Sequence, residues 1–170
     1  MDYKVRICDV ETESIVDGRG LRYSIFMQGC PHHCVGCHNP QTHAYDGGKL
    51  VSIEELLKDI CKNPLLTGVT FSGGEPFLQA AALSQLGQMI HKQGLTVTTY
   101  TGFYYEKLLS LGKEEIQKLL DQTDTLVDGP FMIEQKDLSL YFRGSRNQRI
   151  IDMNQTRKKG TVILDDLNNG

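Results

Sequence analysis

The stretch Leu21-Arg22-Tyr23-Ser24-Ile25-Phe26-Met27-Gln28-Gly29-Cys30-Pro31-His32-His33-Cys34-Val35-Gly36-Cys37-His38-Asn39-Pro40 decides how the rest of the chain is read. Leu21 to Met27 has the length and the aromatic and β-branched content of a strand. That strand runs straight into three cysteines spaced C-x3-C-x2-C, Cys30, Cys34 and Cys37. Thiolates are soft ligands, and three on one short loop can converge on one inorganic centre. A [4Fe–4S] cluster held by only three of them keeps one iron open, and open metal positions carry chemistry where closed ones carry structure or electrons. The alternative is a structural zinc ion with His38, His32 or His33 as fourth ligand. Zinc sites usually join two C-x-x-C-like halves across a longer stretch, and no second cysteine pair is present, so the spacing favours the cluster.

Outward from this stretch, strands and helices alternate. Ser52 caps a helix, with Glu55 completing a capping box, and the helix stops before Asn63-Pro64. Thr67 to Phe71 is a strand, followed by Ser72-Gly73-Gly74-Glu75-Pro76. A helix is expected from about Phe77 to Lys92, with Leu78, Ala82, Leu86, Met89 and Ile90 near one face and Gly94 as its stop. Leu95 to Tyr100 is a β-branched strand, two short helices cover Tyr104–Leu109 and Lys113–Leu120, and Asp124 to Val127 is a strand ending at Asp128-Gly129-Pro130. Arg149 to Asp152 and Thr161 to Leu164 read as late strands, and Arg6 to Val10 as a short strand-like run. This alternation predicts an α/β fold with a parallel sheet. A complete (β/α)8 barrel takes about 250 residues, so a partial barrel or an open sheet is expected here. Sites in such sheets lie beyond the strands' carboxyl ends. The cysteine loop, the Gly73-Gly74 loop, the Tyr100-Thr101-Gly102 loop and the Asp128-Gly129-Pro130 loop should therefore share one rim.

The 170 residues fit a single domain spanning 1–170, with 39% hydrophobic and 23% charged residues. A formal charge of −3 leaves no basic stripe for nucleic acid. No apolar stretch is long enough to span a membrane, and the N-terminus lacks the apolar core of a signal peptide. Five cysteines, three of them clustered, do not form a secreted disulfide framework, so a reducing cytoplasm is the expected compartment. Cys8 and Cys61 read as packing residues, because free cysteine is among the most buried types. His43 and His91 read as ordinary surface histidines.

The cysteine spacing after a first strand, joined to Gly73-Gly74-Glu75-Pro76 after a later one, resembles the signature of the radical S-adenosylmethionine (radical SAM) superfamily. The resemblance implies an incomplete (β/α) barrel open on one side. It implies a [4Fe–4S] cluster on Cys30, Cys34 and Cys37, with S-adenosylmethionine chelating the open iron. Gly36, Cys37, His38, Gly73, Gly74 and Glu75 are then the expected cofactor contacts.

Within the superfamily the chain resembles the glycyl-radical activating enzymes, and among them the activators of anaerobic ribonucleoside-triphosphate reductase. The matching segments are Asp17-Gly18-Arg19-Gly20-Leu21-Arg22, Gly36-Cys37-His38-Asn39-Pro40, Tyr100-Thr101-Gly102, Val127-Asp128-Gly129-Pro130-Phe131 and Arg143-Gly144-Ser145-Arg146-Asn147-Gln148. Arg19 stands where many relatives carry proline. Gly36 stands where the wider superfamily usually carries an aromatic, and glycine is common there in the reductase-activator branch. The resemblance implies a one-electron donor such as a flavodoxin, and a reductase glycine as the source of the abstracted hydrogen. Another glycyl-radical enzyme, or a small molecule, is the alternative substrate. From sequence Asp128 reads either as a turn acceptor or as a functional loop residue, Arg143 and Arg149 as surface cations or functional ones, and Tyr100 as core or as part of the site; both readings stand.

Overall fold

The computed structural model describes residues 3–169. Seven strands form one open sheet: β1 (Lys4–Ser14), β2 (Arg22–Met27), β3 (Lys49–Ser52), β4 (Gly68–Gly73), β5 (Thr96–Tyr100), β6 (Thr125–Asp128) and β7 (Arg149–Asp152). Their order is β3-β1-β2-β4-β5-β6-β7. The four central strands β2, β4, β5 and β6 are parallel, while β1, β3 and β7 pair antiparallel at the two sides. The sheet is thus mixed rather than purely parallel. Antiparallel neighbours need no crossover helix, which lets the outer strands be added by short connections.

Five helices accompany the sheet: α1 (Ile53–Ile60), α2 (Ala80–Lys92), α3 (Tyr105–Ser110), α4 (Glu114–Gln122) and α5 (Met153–Lys159). The strand order advances one way from β2 to β6, so right-handed crossovers stack α1, α2 and α4 on one face, where α2 touches both of the others. Period-two alternation then divides each central strand. Tyr23, Ile25, Met27, Val69, Phe71, Val97 and Leu126 join Leu56, Leu83, Leu86, Ile90 and Leu119 in the core. The alternate residues, among them Arg22, Ser24, Thr70, Ser72, Thr96, Thr98 and Tyr100, carry a polar face turned away from the helices.

Arg22 laces the amino ends of that polar face together. It is 2% exposed. Its Nε donates to Thr70 Oγ1 at 2.8 Å, its Nη1 to Arg19 O and Thr96 Oγ1, and its Nη2 to Val69 O and Thr96 O. Burial lowers its pKa to about 10, against the pull of Asp124. Full satisfaction of every N–H makes this buried cation tolerable.

Local chemistry explains the boundaries. Ser52 caps α1 by accepting from Glu55 N at 3.1 Å, and Ile53, Leu56 and Ile60 are its buried stripe. Cys61 is the residue after that stripe and is exposed, so it is not the packing residue expected; Cys8 is half-buried. Residues Pro76–Gln79 form a 3-10 turn before α2 begins. The different phase leaves Leu78 49% exposed, off the helix face it was expected to share. The segment at 161–164 makes only a bridge, Ile151 to Leu164, rather than a strand. No helix of the described residues is long and apolar enough to cross a membrane.

Replacing Arg22 with Met should cost about 3 kcal/mol, since a charged hydrogen-bonding hub is removed and several buried acceptors are orphaned. Urea unfolding at constant m reads it, and a loss below about 1 kcal/mol, the worth of one ordinary hydrogen bond, would reject the lacing role.

Candidate active site

Parallel β2, β4, β5 and β6 deliver their carboxyl ends to one rim, and the four loops expected to meet do so. They enclose a cavity of about 570 Å³ lined by Cys30, Cys34, Cys37, His38, Gly73, Gly74, Tyr100, Thr101, Gly102 and Gly129, among others. Its mouth is apolar and open to solvent, with Ile15, Val16 and Tyr141 lining it at 73%, 70% and 53% exposure.

The cysteine loop is held by backbone and by one buried amide. Gly29 N donates to Thr42 O at 2.6 Å and Cys30 N to His43 O at 3.3 Å. Gln28, 5% exposed, donates from Nε2 to Gln41 O and Ala44 O at 3.1 and 2.6 Å. The 41–44 segment is thereby strapped beside the first cysteine. Farther along, Cys37 N donates to Cys34 O at 3.1 Å, and Asn39 N donates to the Cys37 sulfur at 3.4 Å. Cys30 is buried, and Cys34 and Cys37 are half-buried. Burial pushes the Cys30 thiol up, opposed by the His32 and His33 backbone N–H groups, and burial likewise pushes the Cys34 thiol up. Such thiols ionise readily only beside a metal cation. Among the described residues no three His, Cys, Asp or Glu side chains converge as one metal ion would require. Cys30, Cys34 and Cys37 all line this one cavity, and a set of three soft sulfur ligands fits an iron–sulfur centre.

Glu75 joins the loops from behind. It is 0% exposed. Its Oε1 accepts from Gly102 N at 2.9 Å and pairs with His32 Nε2 at 2.6 Å, its Oε2 accepts from Phe77 N at 3.0 Å, and the Thr101 hydroxyl lies 2.9 Å from both oxygens. One carboxylate therefore couples the cysteine loop to the ends of β4 and β5. Gly73 has φ +89°, and a Cβ there would lie 2.5 Å from Met27 N. A Cβ on Gly74 would collide with Gly29 O. Both glycines are thus required by the close approach to β2. Gly74 N and Glu75 N are spent on Met27 O and Gly29 O at 2.8 Å, so a ligand at this edge meets the remaining main-chain surface of Gly73 and Gly74.

The remaining expected residues fall into place around this frame. Gly36 has φ +77° and is packed by Ile133 and Phe131, and the His38 ring lies 5.1 Å from that of Phe131. Tyr100 lines the cavity and donates to Phe142 O at 2.8 Å; burial and nearby Asp17 hold its phenol protonated far above the usual range. Asp128 is wholly buried. It accepts from Tyr105 N at 2.8 Å and pairs with Arg149, which also reaches Glu106. It is therefore the anchor of an ion-pair network rather than a turn acceptor. Arg143 lines the cavity and donates to Gln148 O, Leu167 O and Asn168 O at 3.3–3.4 Å. His43 lines the cavity, and His91 is bonded to Gln122 and Asp124, so neither is the ordinary surface histidine expected. The role of Gln28 escaped sequence reading, because a glutamine between a strand and a cysteine carries no distinguishing pattern.

Glu75→Gln places an amide N–H₂ among donors and should cost about 2–3 kcal/mol through unsatisfied buried groups. Denaturant unfolding measures the loss, and iron titration of the reconstituted protein should show fewer irons bound; unchanged stability and iron would dismiss the hub.

Residues 16–151 match the family described as a 4Fe-4S single cluster domain. The anaerobic ribonucleoside-triphosphate reductase-activating protein of Haemophilus influenzae is 33% identical over 144 residues, covering 80% of this chain and 90% of that one. The pyruvate formate-lyase-activating enzyme of Clostridium pasteurianum is 40% identical over 113 residues, 61% of this chain, which spans only 48% of that enzyme's length. QueE from Escherichia coli, a solved structure, overlaps 58% of this chain and 52% of that one at 22% identity and a TM-score of 0.45, too loose a likeness to bear on the fold. The cysteine-lined cavity lies within a chain that belongs to the 4Fe–4S single-cluster family and, inside it, to the activating proteins of anaerobic ribonucleoside-triphosphate reductases.

Proposed function

We propose that the chain, as a single radical SAM domain, installs the glycyl radical of an anaerobic ribonucleoside-triphosphate reductase. The observation that carries this reading is the C-x3-C-x2-C loop facing an open-mouthed cavity at the ends of parallel strands. Cys30, Cys34 and Cys37 would hold a [4Fe–4S] cluster, and Gly36, His38, Gly73 and Gly74 would border S-adenosylmethionine. When bound, these groups supply one-electron cleavage of the sulfonium to methionine and a 5′-deoxyadenosyl radical, which takes a hydrogen atom from a reductase glycine to give 5′-deoxyadenosine and the glycyl radical. The electron comes from an external donor such as a flavodoxin.

The chain's own part is binding, orientation and exclusion of water. Glu75 sits behind the cavity wall, so it acts on the cofactors through the loops it ties together. No proton-transfer pair is required. The one-sided helix layer and open sheet edges support reading the sheet as an incomplete (β/α) barrel. An exposed apolar mouth suits a glycine carried on a protein loop better than a small substrate, which favours a sealed pocket.

The 40% identity to a pyruvate formate-lyase activator supports a second reading, in which the substrate is that class of enzyme. The 90% coverage of the ribonucleotide reductase activator favours the first. Anaerobic reconstitution should give about four irons per chain, as a [4Fe–4S] site requires. Reduced protein, S-adenosylmethionine and an anaerobic ribonucleotide reductase should then yield a glycyl radical doublet in electron paramagnetic resonance. No doublet with this reductase, but one with pyruvate formate-lyase, would transfer the assignment. Cys30→Ala, Cys34→Ala and Cys37→Ala should each abolish the doublet and lower iron content; full retention in any one would remove that residue as a ligand.

A further inference from the structure

The polar face of the sheet carries a second cavity, of about 470 Å³, toward the amino ends of the strands. Arg19, Thr67 and Thr96 border it and are exposed, so it opens to solvent. Three segments run from this cavity directly into the cysteine-lined one. Gly18 borders the second and Asp17 the first, Thr98 the second and Tyr100 the first, Val127 the second and Gly129 the first. Two residues of strand span about 7 Å, so the partition over the sheet is only about one side chain thick. Among the described residues Phe142 alone borders both cavities. Its backbone has φ +56°, in the left-handed region that a bulky residue rarely adopts. Such a conformation persists only where the surroundings hold it. Here the Tyr100 hydroxyl donates to Phe142 O at 2.8 Å, and the adjacent Arg143 donates to Gln148 O, Leu167 O and Asn168 O. A bridge between Lys136 and Ser145 closes the base of the loop. The loop is thus drawn onto the polar face with its phenylalanine at the boundary.

We propose that the Phe142 side chain is the wall between the two cavities, and that it bars small solutes from entering the site through the amino-end cavity while a reductase covers the mouth. This rests on the activase reading above, which seats the reductase at the mouth. In the free protein the mouth itself admits solvent, so the wall matters in the complex. Once the mouth is covered, the second cavity is the route left along the polar face, and an aromatic ring at its inner end closes it. Exclusion matters because a carbon radical in the site takes hydrogen from the first good donor it meets. A thiol that reached it would lose its S–H hydrogen atom to the new C–H bond and leave as a thiyl radical, and the reductase glycine would stay intact. Closing a site against such side reactions is a known use of protein structure. The strained backbone at Phe142 is then the cost of setting a ring at this boundary.

The test is the access of dioxygen to the cluster of the reconstituted holoprotein. It is read as the rate at which the cluster's visible absorbance bleaches in aerated buffer with an anaerobic ribonucleotide reductase, relative to the same protein alone. The reductase should slow bleaching of the wild type several-fold. Phe142→Ala opens the wall and should lose most of that slowing, whereas Phe142→Leu keeps an apolar side chain there and should retain most of it. Where Phe142→Ala fails to fold, Phe142→Gly takes its place, because glycine suits the left-handed backbone. A variant without the ring that is protected as fully as wild type overturns the proposal. Under anaerobic turnover with dithiothreitol, the same variant should make more 5′-deoxyadenosine per glycyl radical than wild type, and an unchanged ratio also overturns it. Wild type that forms the glycyl radical but gains no protection from the reductase counts against the wall alone; protection without any glycyl radical counts against the activase reading alone.

Discussion

Glu75 is a carboxylate with no access to water, and it must therefore find every donor it needs inside the protein. The donors it takes belong to three different segments: Phe77 N on its own turn, Thr101 and Gly102 beyond β5, and His32 within the cysteine loop. Such a group is stabilising only when all its bonds form together, so the loops it joins are coupled in position. The cysteine loop has little secondary structure of its own. Its placement over the sheet rests on this carboxylate below and on Gln28 and the 42–43 backbone beside it. Gly73 and Gly74 serve the same end, since only residues without a Cβ let the β4 loop lie against β2 closely enough for Glu75 to reach.

The sheet beneath supplies two unlike faces from one alternating pattern. Val, Ile, Leu and Phe at one parity bind the helices. Ser, Thr, Tyr and Arg at the other hold the cavity side, where Asp17 accepts from Ser24 and Ser14, and Thr70 donates to Asp17 O. Arg22 at the amino ends and Glu75 at the carboxyl ends are opposite charges buried at opposite edges of this face. Each is neutralised locally by hydrogen bonds rather than by the other.

How far the sequence could be read follows from these same forces. The central strands were legible because their apolar parity is strong, and the convergence of four loops followed from element order alone. The cysteine ligands and the Gly73-Gly74 loop were legible because their chemistry is tied to spacing. β3 (Lys49–Ser52) is half-exposed and short, and α5 (Met153–Lys159) reads Met-Asn-Gln-Thr-Arg-Lys-Lys with no apolar stripe; only the Asp152 cap and the left-handed Gly160 mark it. Cys61 and Leu78 went astray through phase, one residue past a helix end and one inside a 3-10 turn. Glu75 was expected at the cofactor by its motif, and its burial behind the wall depends on partners 26 and 43 residues away. His43, His91 and Asp128 take their roles from contacts distant in sequence, which no local pattern encodes.

The cysteine thiols close the physical account. Burial raises Cys30 and Cys34 against ionisation, so the folded loop without metal holds them as thiols. Binding iron must therefore expel protons, and its free energy is coupled to pH and to the loop's own order. The loop lowers that cost in advance by fixing backbone donors toward sulfur, from Asn39 to Cys37 and from the His32 and His33 amides toward Cys30. These donors are arranged for thiolate rather than thiol, since hydrogen bonds to sulfur gain most when the sulfur is charged. Burial thus disfavours the thiolate at Cys30 and Cys34, a cost that a bound cationic centre would offset.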